Sequence, residues 1–354
     1  MASPRSPSRG HSRTADGFFT PHPSFVCGNS VTQQGQKTQG DRLQTDEFCG
    51  TIFVEIDKEY HPRLPGRGHP QGGSIMQDIR LIALDLDGTV FDDQKHISPR
   101  TLAAIRAALD AGIDVIPATG RSVTGVPKEF LHMPGVRYAL TSNGASVVEL
   151  ATGKAIVTLP FETDMALQLL EVVQKFPSSL SLFVNGECYT DPASAARVEA
   201  CCPPELLSYV RDSRVVVEDL AGLIRSRPGE VEKFSIMYEN TQVRDAAREA
   251  VLAVCPDVDA TSSVKDNLEL NAPGVNKGRG LMALAETLGL RKDQVMACGD
   301  SGNDLEMIRM AGLGVAMANA FPEVKAAADV ITLDNNHDGV AAAIETYALG
   351  HPVV

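Results

Sequence analysis

Asp85 and Asp87 stand two positions apart in Asp85-Leu86-Asp87-Gly88-Thr89, directly after the β-rich run Ile79-Arg80-Leu81-Ile82-Ala83-Leu84. Two aspartates at i and i+2 at the end of a strand can address one site. Gly88 lets the chain turn tightly, with backbone amides free to meet an anion. The pair suits phosphoryl transfer, because two carboxylates in one site can hold opposite protonation states. One stays ionised and attacks phosphorus, while the other is protonated and donates to the leaving oxygen. A lone D-x-D-G is more commonly a solvated turn, so the assignment depends on its company.

Three further clusters supply that company. Thr119-Gly120-Arg121 follows the strand-like run Ile113 to Ala118, and a threonine hydroxyl there can donate to a phosphate oxygen. Lys277, in Asn276-Lys277-Gly278, stands at a helix start. A cation there opposes the helix dipole, a cost offset if the lysine orients a nucleophile and neutralises phosphate. Gly299-Asp300-Ser301-Gly302-Asn303-Asp304 places two more carboxylates in a tight turn after a strand. Magnesium uses one or two carboxylates and completes its octahedron with waters and substrate phosphate. Asp85 with Asp300 meets that requirement for Mg2+.

The elements that must position these clusters alternate between strand and helix. Ser98-Pro99 starts a helix carrying Leu102, Ile105 and Leu109, and Gly112 stops it. Strands are expected at 113–118, 138–141, 295–298, 313–317 and 330–333, with helices through Leu281–Leu288, 305–310, 322–328 and 339–349. This rhythm predicts an α/β fold, a parallel sheet with helices on both faces. Ligands then bind beyond the carboxyl ends of the strands. Each cluster named above ends a predicted strand or starts a predicted helix.

Residues 160–265 break the rhythm. A helix over 163–176 precedes a hairpin at Asn185-Gly186. Strands at 233–238, 258–262 and 268–270 and a helix over 243–254 follow. The stretch reads as an α+β module inserted into a core made of 76–159 and 266–354. Residues 1–75, rich in Ser, Pro, Gly, Arg, Gln and His, read as a disordered extension. Met76, where the compact pattern opens, reads as the native start.

The chain has 354 residues and a net charge of −13. That length suits two domains. The charge argues against nucleic acid as a partner, which needs basic surface, and an anionic substrate then requires a local cation. No apolar run spans a bilayer and no secretory signal opens the chain, so no membrane partner and a cytoplasmic location are expected. The seven cysteines, Cys27, Cys49, Cys188, Cys201, Cys202, Cys255 and Cys298, show no zinc spacing and read as free thiols. His96 and His337 read as surface residues.

The four clusters, in this order and at these strand ends, resemble those of the haloacid dehalogenase superfamily, specifically the Cof-type phosphatases with a type C2 cap. The resemblance covers about residues 76 to 350. It implies a Rossmannoid core with Asp85 as nucleophile, forming an aspartyl-phosphate. Asp87 is implied as general acid and then base, its backbone carbonyl also binding Mg2+. Thr119 and the Gly120 amide would bind phosphate, and Lys277 would hold Asp85 and the phosphate. Asp300 would ligate the metal, and Asp304 would do so through water or pair with Lys277. Asn303 would contact phosphate, and Asn143, in Ser142-Asn143-Gly144-Ala145, would shape the substrate side. With one helix and one strand between Asp87 and Thr119, the specificity module must be 160–265, closing over the site.

The expected reaction is Mg-dependent hydrolysis of a small phosphorylated metabolite. A phosphomutase of the phosphomannomutase type is the enzymatic alternative. It needs basic cap residues for a second phosphate, and Lys175, Arg197, Arg211, Arg214, Arg225, Arg227, Lys233, Arg244 and Arg248 read instead as solvated surface. A non-catalytic phosphate-binding regulator is the alternative from another class. Tyr189, Cys188 and Tyr209 read as core. Oligomeric state is not legible.

Overall fold

The computed structural model of the protein describes residues 78–350; the expected disordered extension, Met76, Cys27 and Cys49 lie outside them. The strands, in chain order, are β1 (Leu81–Leu84), β2 (Asp114–Pro117), β3 (Tyr138–Thr141), β4 (Ser146–Glu149), β5 (Lys154–Thr158), β6 (Ser178–Val184), β7 (Glu187–Thr190), β8 (Val215–Val216), β9 (Val231–Tyr238), β10 (Asp259–Thr261), β11 (Asn267–Asn271), β12 (Val295–Gly299), β13 (Leu313–Ala316) and β14 (Val330–Ile331).

A parallel sheet runs in the order β14-β13-β12-β1-β2. Its interior strand β1 is buried at every position, as a parallel strand covered on both faces must be. The helix Pro99–Asp110 leaves β1 with Ser98 as N-cap, accepting from the Thr101 amide, and turns out through Gly112 at φ +80°. The helix Lys277–Thr287 is capped by Asn276, which accepts from the Arg279 amide. The expected final helix is split into Gly339–Ala343 and a wider π turn, Ile344–Ala348.

β3, expected as a further strand of the parallel sheet, instead opens a three-stranded antiparallel sheet, β3-β4-β5. It touches the edge of β2 through the single bridge Ala118–Leu140. The antiparallel pairing with β4 comes from the turn that follows. Ser142, Asn143 and Gly144 all have positive φ, 52°, 57° and 91°, and this run sends the chain back along β3. The turn also packs on the start of the Lys277 helix: a Cβ on Gly144 would lie 2.3 Å from the Asn276 carbonyl oxygen. Gly144→Ala is therefore expected to destabilise the protein by about 3 kcal/mol or more, read as a lowered urea midpoint with unchanged slope.

A six-stranded sheet follows the order β10-β11-β9-β6-β7-β8, antiparallel except between β7 and β8. The expected limit of the inserted module at 265 falls short, because β11 pairs along β9 and β10 and the sheet runs on to Asn271. The period of two explains its faces. In β9, Phe234, Ile236 and Tyr238 join the module's apolar core, while Lys233, Ser235 and Met237 line a cavity on the other face. In β11 the same alternation sends Leu268 and Leu270 inward and Glu269 to the cavity. Between β7 and β9, four short helices at Pro192–Ala195, Val198–Cys201, Leu207–Asp212 and Leu220–Ser226 occupy a stretch whose sequence carries no long periodicity.

Glu232, next to the cavity-lining Lys233, faces away from it. Its carboxylate accepts from the Ser142 hydroxyl at 2.5 Å and the Gly186 amide at 3.0 Å. Burial pushes its pKa above the ordinary value, and these two bonds do not fully counter that. A raised carboxyl contributes stability that is complete below the unfolded value and is lost as pH rises through the folded one. Glu232→Gln keeps an acceptor for Gly186 and a donor for Ser142 without the charge. Its melting temperature is expected to exceed that of the wild type at pH 8, with no gain below pH 4.

Candidate active site

The register of the parallel sheet sets the site. Leu84 lies level with Pro117 on one side and Cys298 on the other. The residues that follow, Asp85, Thr119 and Asp300, therefore emerge together at the carboxyl edge. Lys277 arrives from its helix start, fully buried, with Nζ 2.6 Å from Asp85 Oδ1 and 2.6 Å from Asp304 Oδ1. The other oxygen of Asp304 accepts from the amides of Asp300 at 2.9 Å and Ser301 at 3.0 Å. Thr89 Oγ1 donates to Asp300 Oδ1 at 3.1 Å. Gly88, at φ +85°, leaves no room for a side chain: a Cβ would lie 2.5 Å from Asp300 Oδ2.

Asp87 points elsewhere than its neighbour two positions back. Arg121 grips it with two bonds, Nε to Oδ2 at 3.0 Å and Nη2 to Oδ1 at 2.8 Å, and Lys95 Nζ adds a third at 2.8 Å. Asn143 and Asn303 meet each other, Asn303 Nδ2 donating to Asn143 Oδ1 at 3.1 Å, and Ser301 Oγ donates to Asn303 Oδ1 at 2.7 Å. Asn143 Nδ2 donates to Glu269 Oε2 at 2.6 Å. Glu269 lies 3.2 Å from Lys233 Nζ, which donates to the Gly120 carbonyl at 2.5 Å. One chain of contacts thus joins the six-stranded sheet to the Thr119-Gly120 loop. A cavity of about 230 Å³ lies between, with Asp85, Asp87 and Thr119 on one side and Phe183, Tyr209 and Lys233 on the other.

The electrostatics of the protein alone reverse the expected division between the two carboxylates. Burial pushes the Asp85 carboxyl well above its ordinary value, and the charges of Asp304 and Asp300 add to this against Lys277. Burial also raises Asp87, but Arg121 and Lys95 outweigh it and hold that carboxyl below the usual range. Asp300 is pushed up to about 7 by burial and by Asp304. Lys277 is raised too, which for a lysine keeps the charge: its ammonium is held by Asp304 and Asp85 against the cost of burial. The physical cause is a crowd: three buried carboxylates share one lysine.

That crowd fits a divalent cation. Oxygens of Asp85, Asp300 and Asp304 lie within 4.8 Å of one another, all buried. Hard carboxylate oxygens suit Mg2+. Both Asp304 oxygens are committed, one to Lys277 and one to backbone amides, so Asp304 fits the role of partner to Lys277. Asp85 and Asp300 each keep an oxygen, Oδ2, without a hydrogen-bond donor among the described residues. They are the pair whose raised carboxyls a cation would lower.

Several residues around the cavity were not assigned from sequence. Arg121 lay inside Thr119-Gly120-Arg121, and its partner Asp87 was the available signal. Lys233, expected in solvent, is buried, and it and Glu269 stand in strands where polar and apolar residues alternate, a pattern that marks a polar cavity wall. Tyr209, expected in the core, lines the cavity. Arg214, expected in solvent, does so too, with its guanidinium 4.7 Å from the Tyr209 ring and 5.9 Å from Phe183. The described cysteines are all buried, and none forms a disulfide. His96 and His337 are exposed, at 77% and 73% of their side chains.

Residues 82–344 match the family model of haloacid dehalogenase-like hydrolases. The 5-amino-6-(5-phospho-D-ribitylamino)uracil phosphatase YcsE of Bacillus subtilis is 31% identical over 272 residues, covering 77% of this chain and 97% of its own. The pyridoxal phosphate phosphatase YbhA of Escherichia coli is 27% identical, covering 76% of this chain and 99% of its own. A crystal structure of a haloacid dehalogenase-like hydrolase from Bacteroides thetaiotaomicron superposes with a TM-score of 0.62 at 29% identity, over 76% of this chain and 99% of that one. With the match spanning both the parallel sheet and the inserted module, the chain belongs to the haloacid dehalogenase-like hydrolase family.

Proposed function

We propose that the protein is a phosphatase that hydrolyses small phosphomonoesters through an aspartyl-phosphate on Asp85. The observation that carries this reading is Lys277, buried and bridging Asp304 to Asp85, which lines the cavity. A lysine so placed fixes the orientation of the carboxylate that attacks phosphorus. Asp85 forms a bond to phosphorus as the ester oxygen leaves, and Asp87 supplies the proton that the alcohol carries away. In the second half, Asp87 takes a proton from water as that water attacks phosphorus, the Asp85–phosphate bond breaks, and inorganic phosphate departs. The negative phosphate beside Asp87 works against Arg121 and Lys95, raising that carboxyl toward the protonated form that donation requires. Thr119, the Gly120 amide and Asn303 line the place where phosphate oxygens would sit.

Asp85, Asp300 and the Asp87 backbone carbonyl would hold Mg2+, with Asp304 steadying Lys277. When bound, the ion neutralises phosphate charge and lets an anionic nucleophile approach. Asn143, tied to Glu269, would shape the substrate side. The residues past 160 would act as the cap that excludes water. The two named relatives act on different phosphorylated small molecules, so the leaving group belongs to the cap cavity and not to the shared core. A cytoplasmic location follows from such substrates; among the described residues, no helix is long and apolar enough to cross a membrane.

Phosphate release from a panel of esters, with Mg2+ or with EDTA, tests the reading. Metal-dependent release supports it, and no release from any ester counts against it. Arg214 at the cavity wall gives the phosphomutase alternative a cap cation for a second phosphate. Turnover that requires a bisphosphate would favour that alternative.

A further inference from the structure

Tyr209 belongs to the short helix Leu207–Asp212, yet its ring is packed between arginines from two parts of the chain. The guanidinium carbon of Arg121 lies 4.4 Å from the ring centroid and that of Arg214 lies 4.7 Å from it. Arg121 comes from the Thr119-Gly120-Arg121 loop and grips Asp87 edge-on with two bonds. Its remaining nitrogen, Nη1, donates to the Gly125 carbonyl at 3.1 Å. The phenolic end of Tyr209 rests on the same residue: a Cβ at Gly125 would lie 2.7 Å from the hydroxyl oxygen. That hydroxyl is buried beside the Arg214 guanidinium and bonds to neither Arg121 nor Asp87. The aromatic face, not the hydroxyl, therefore makes the productive contact.

We infer that Tyr209 is a positioning residue for Asp87, completing from the cap side the arginine clamp that aims this carboxyl at the ester oxygen. The inference rests on the phosphatase reading for the role of Asp87. Arg121 spends its edge on Asp87 and offers its face to the ring. A cation over an aromatic face is attracted by the ring quadrupole, more so when water is excluded. The ring also removes alternative rotamers from a long side chain, whose freedom otherwise works against a fixed grip. Arg121 keeps only 14% of its side chain exposed, against 35% for Asp87. The cap thereby does more than cover the cavity: it supplies the part that fixes the proton donor, so acid catalysis is complete only with the cap in place.

A leaving-group comparison tests this. The nitrophenolate of p-nitrophenyl phosphate departs without a proton, whereas an alkoxide needs one. The kcat/KM of p-nitrophenyl phosphate and of an alkyl phosphate that the wild type turns over would be measured for wild type, Tyr209→Phe and Tyr209→Leu. General-acid contributions run to about 10²–10⁴-fold. The alkyl-to-aryl ratio of kcat/KM is therefore expected to fall at least about tenfold in Tyr209→Leu and to stay within about twofold in Tyr209→Phe. Tyr209→Met, which keeps volume without an aromatic face, gives the same readout if the leucine variant does not fold. Equal losses on both esters would make Tyr209 a pocket wall only, and a phenylalanine variant that behaves like the leucine one would assign the effect to the hydroxyl; either overturns the inference. A wild type that releases phosphate from no ester of the panel would instead overturn the phosphatase reading, and this inference with it.

Discussion

Asp85→Asn is expected to lower turnover of every ester by about 10⁴-fold or more, the scale seen when a covalent nucleophile is removed, while the protein stays folded. The asparagine keeps an oxygen to accept from Lys277, as Asp85 Oδ1 does at 2.6 Å. It also removes a charge that burial, Asp304 and Asp300 all oppose. The melting temperature in EDTA at pH 8 should therefore equal or exceed that of the wild type. Loss of activity with gain of stability is the signature of a group held in an unfavourable state for chemistry. Calorimetry beside the phosphate-release assay reads both quantities. A variant that lost stability in proportion to activity would mark Asp85 as structural.

Lys277→Met carries the opposite sign for stability. It leaves Asp85 and Asp304 buried with no shared cation, and removing one partner of a buried pair costs about 3–5 kcal/mol. Turnover is expected to fall by about 10³-fold, because the attacking carboxylate loses its anchor and the phosphate a counter-charge. The pH dependence follows from the carboxyls left behind. Asp85 is already raised by burial, and without Lys277 it rises further, so the penalty is largest at high pH and shrinks as protonation relieves it. Urea unfolding at pH 8 and pH 5 reads this as a stability deficit that narrows at the lower pH. A deficit independent of pH would contradict the account.

The parts legible in the sequence are those written in short stretches. Asp85, Thr119, Asp300 and Lys277 each follow a strand or start a helix within a few residues, and a parallel sheet whose strand ends lie level gathers such residues without further information. The parts that stayed hidden depend on distant pairings. Asn143 meets Glu269 across 126 positions, and the Lys233–Glu269 pair reaches the Gly120 carbonyl from another sheet. Tyr209 sits in a helix of six residues with no usable period, and Arg214 follows it closely enough to read as surface. The reversal at Ser142-Asn143-Gly144 was written in a motif, but the positive φ of Ser142, which helps turn the chain from β3 back into β4, is not a preference of serine. The end of the inserted module was misplaced for the related reason that β11 follows β10 closely and only its pairing with β9 assigns it a sheet.

The central claim is that phosphate passes through Asp85. Acid-quenching the wild-type protein during turnover, reducing it with borohydride and mapping peptides by mass spectrometry tests that most directly. An aspartyl-phosphate is reduced to homoserine, so the account predicts homoserine at position 85 and nowhere else, at a level that falls when substrate or metal is withheld. Steady turnover with position 85 still aspartate, or with homoserine at Asp87 or Asp300, would contradict it.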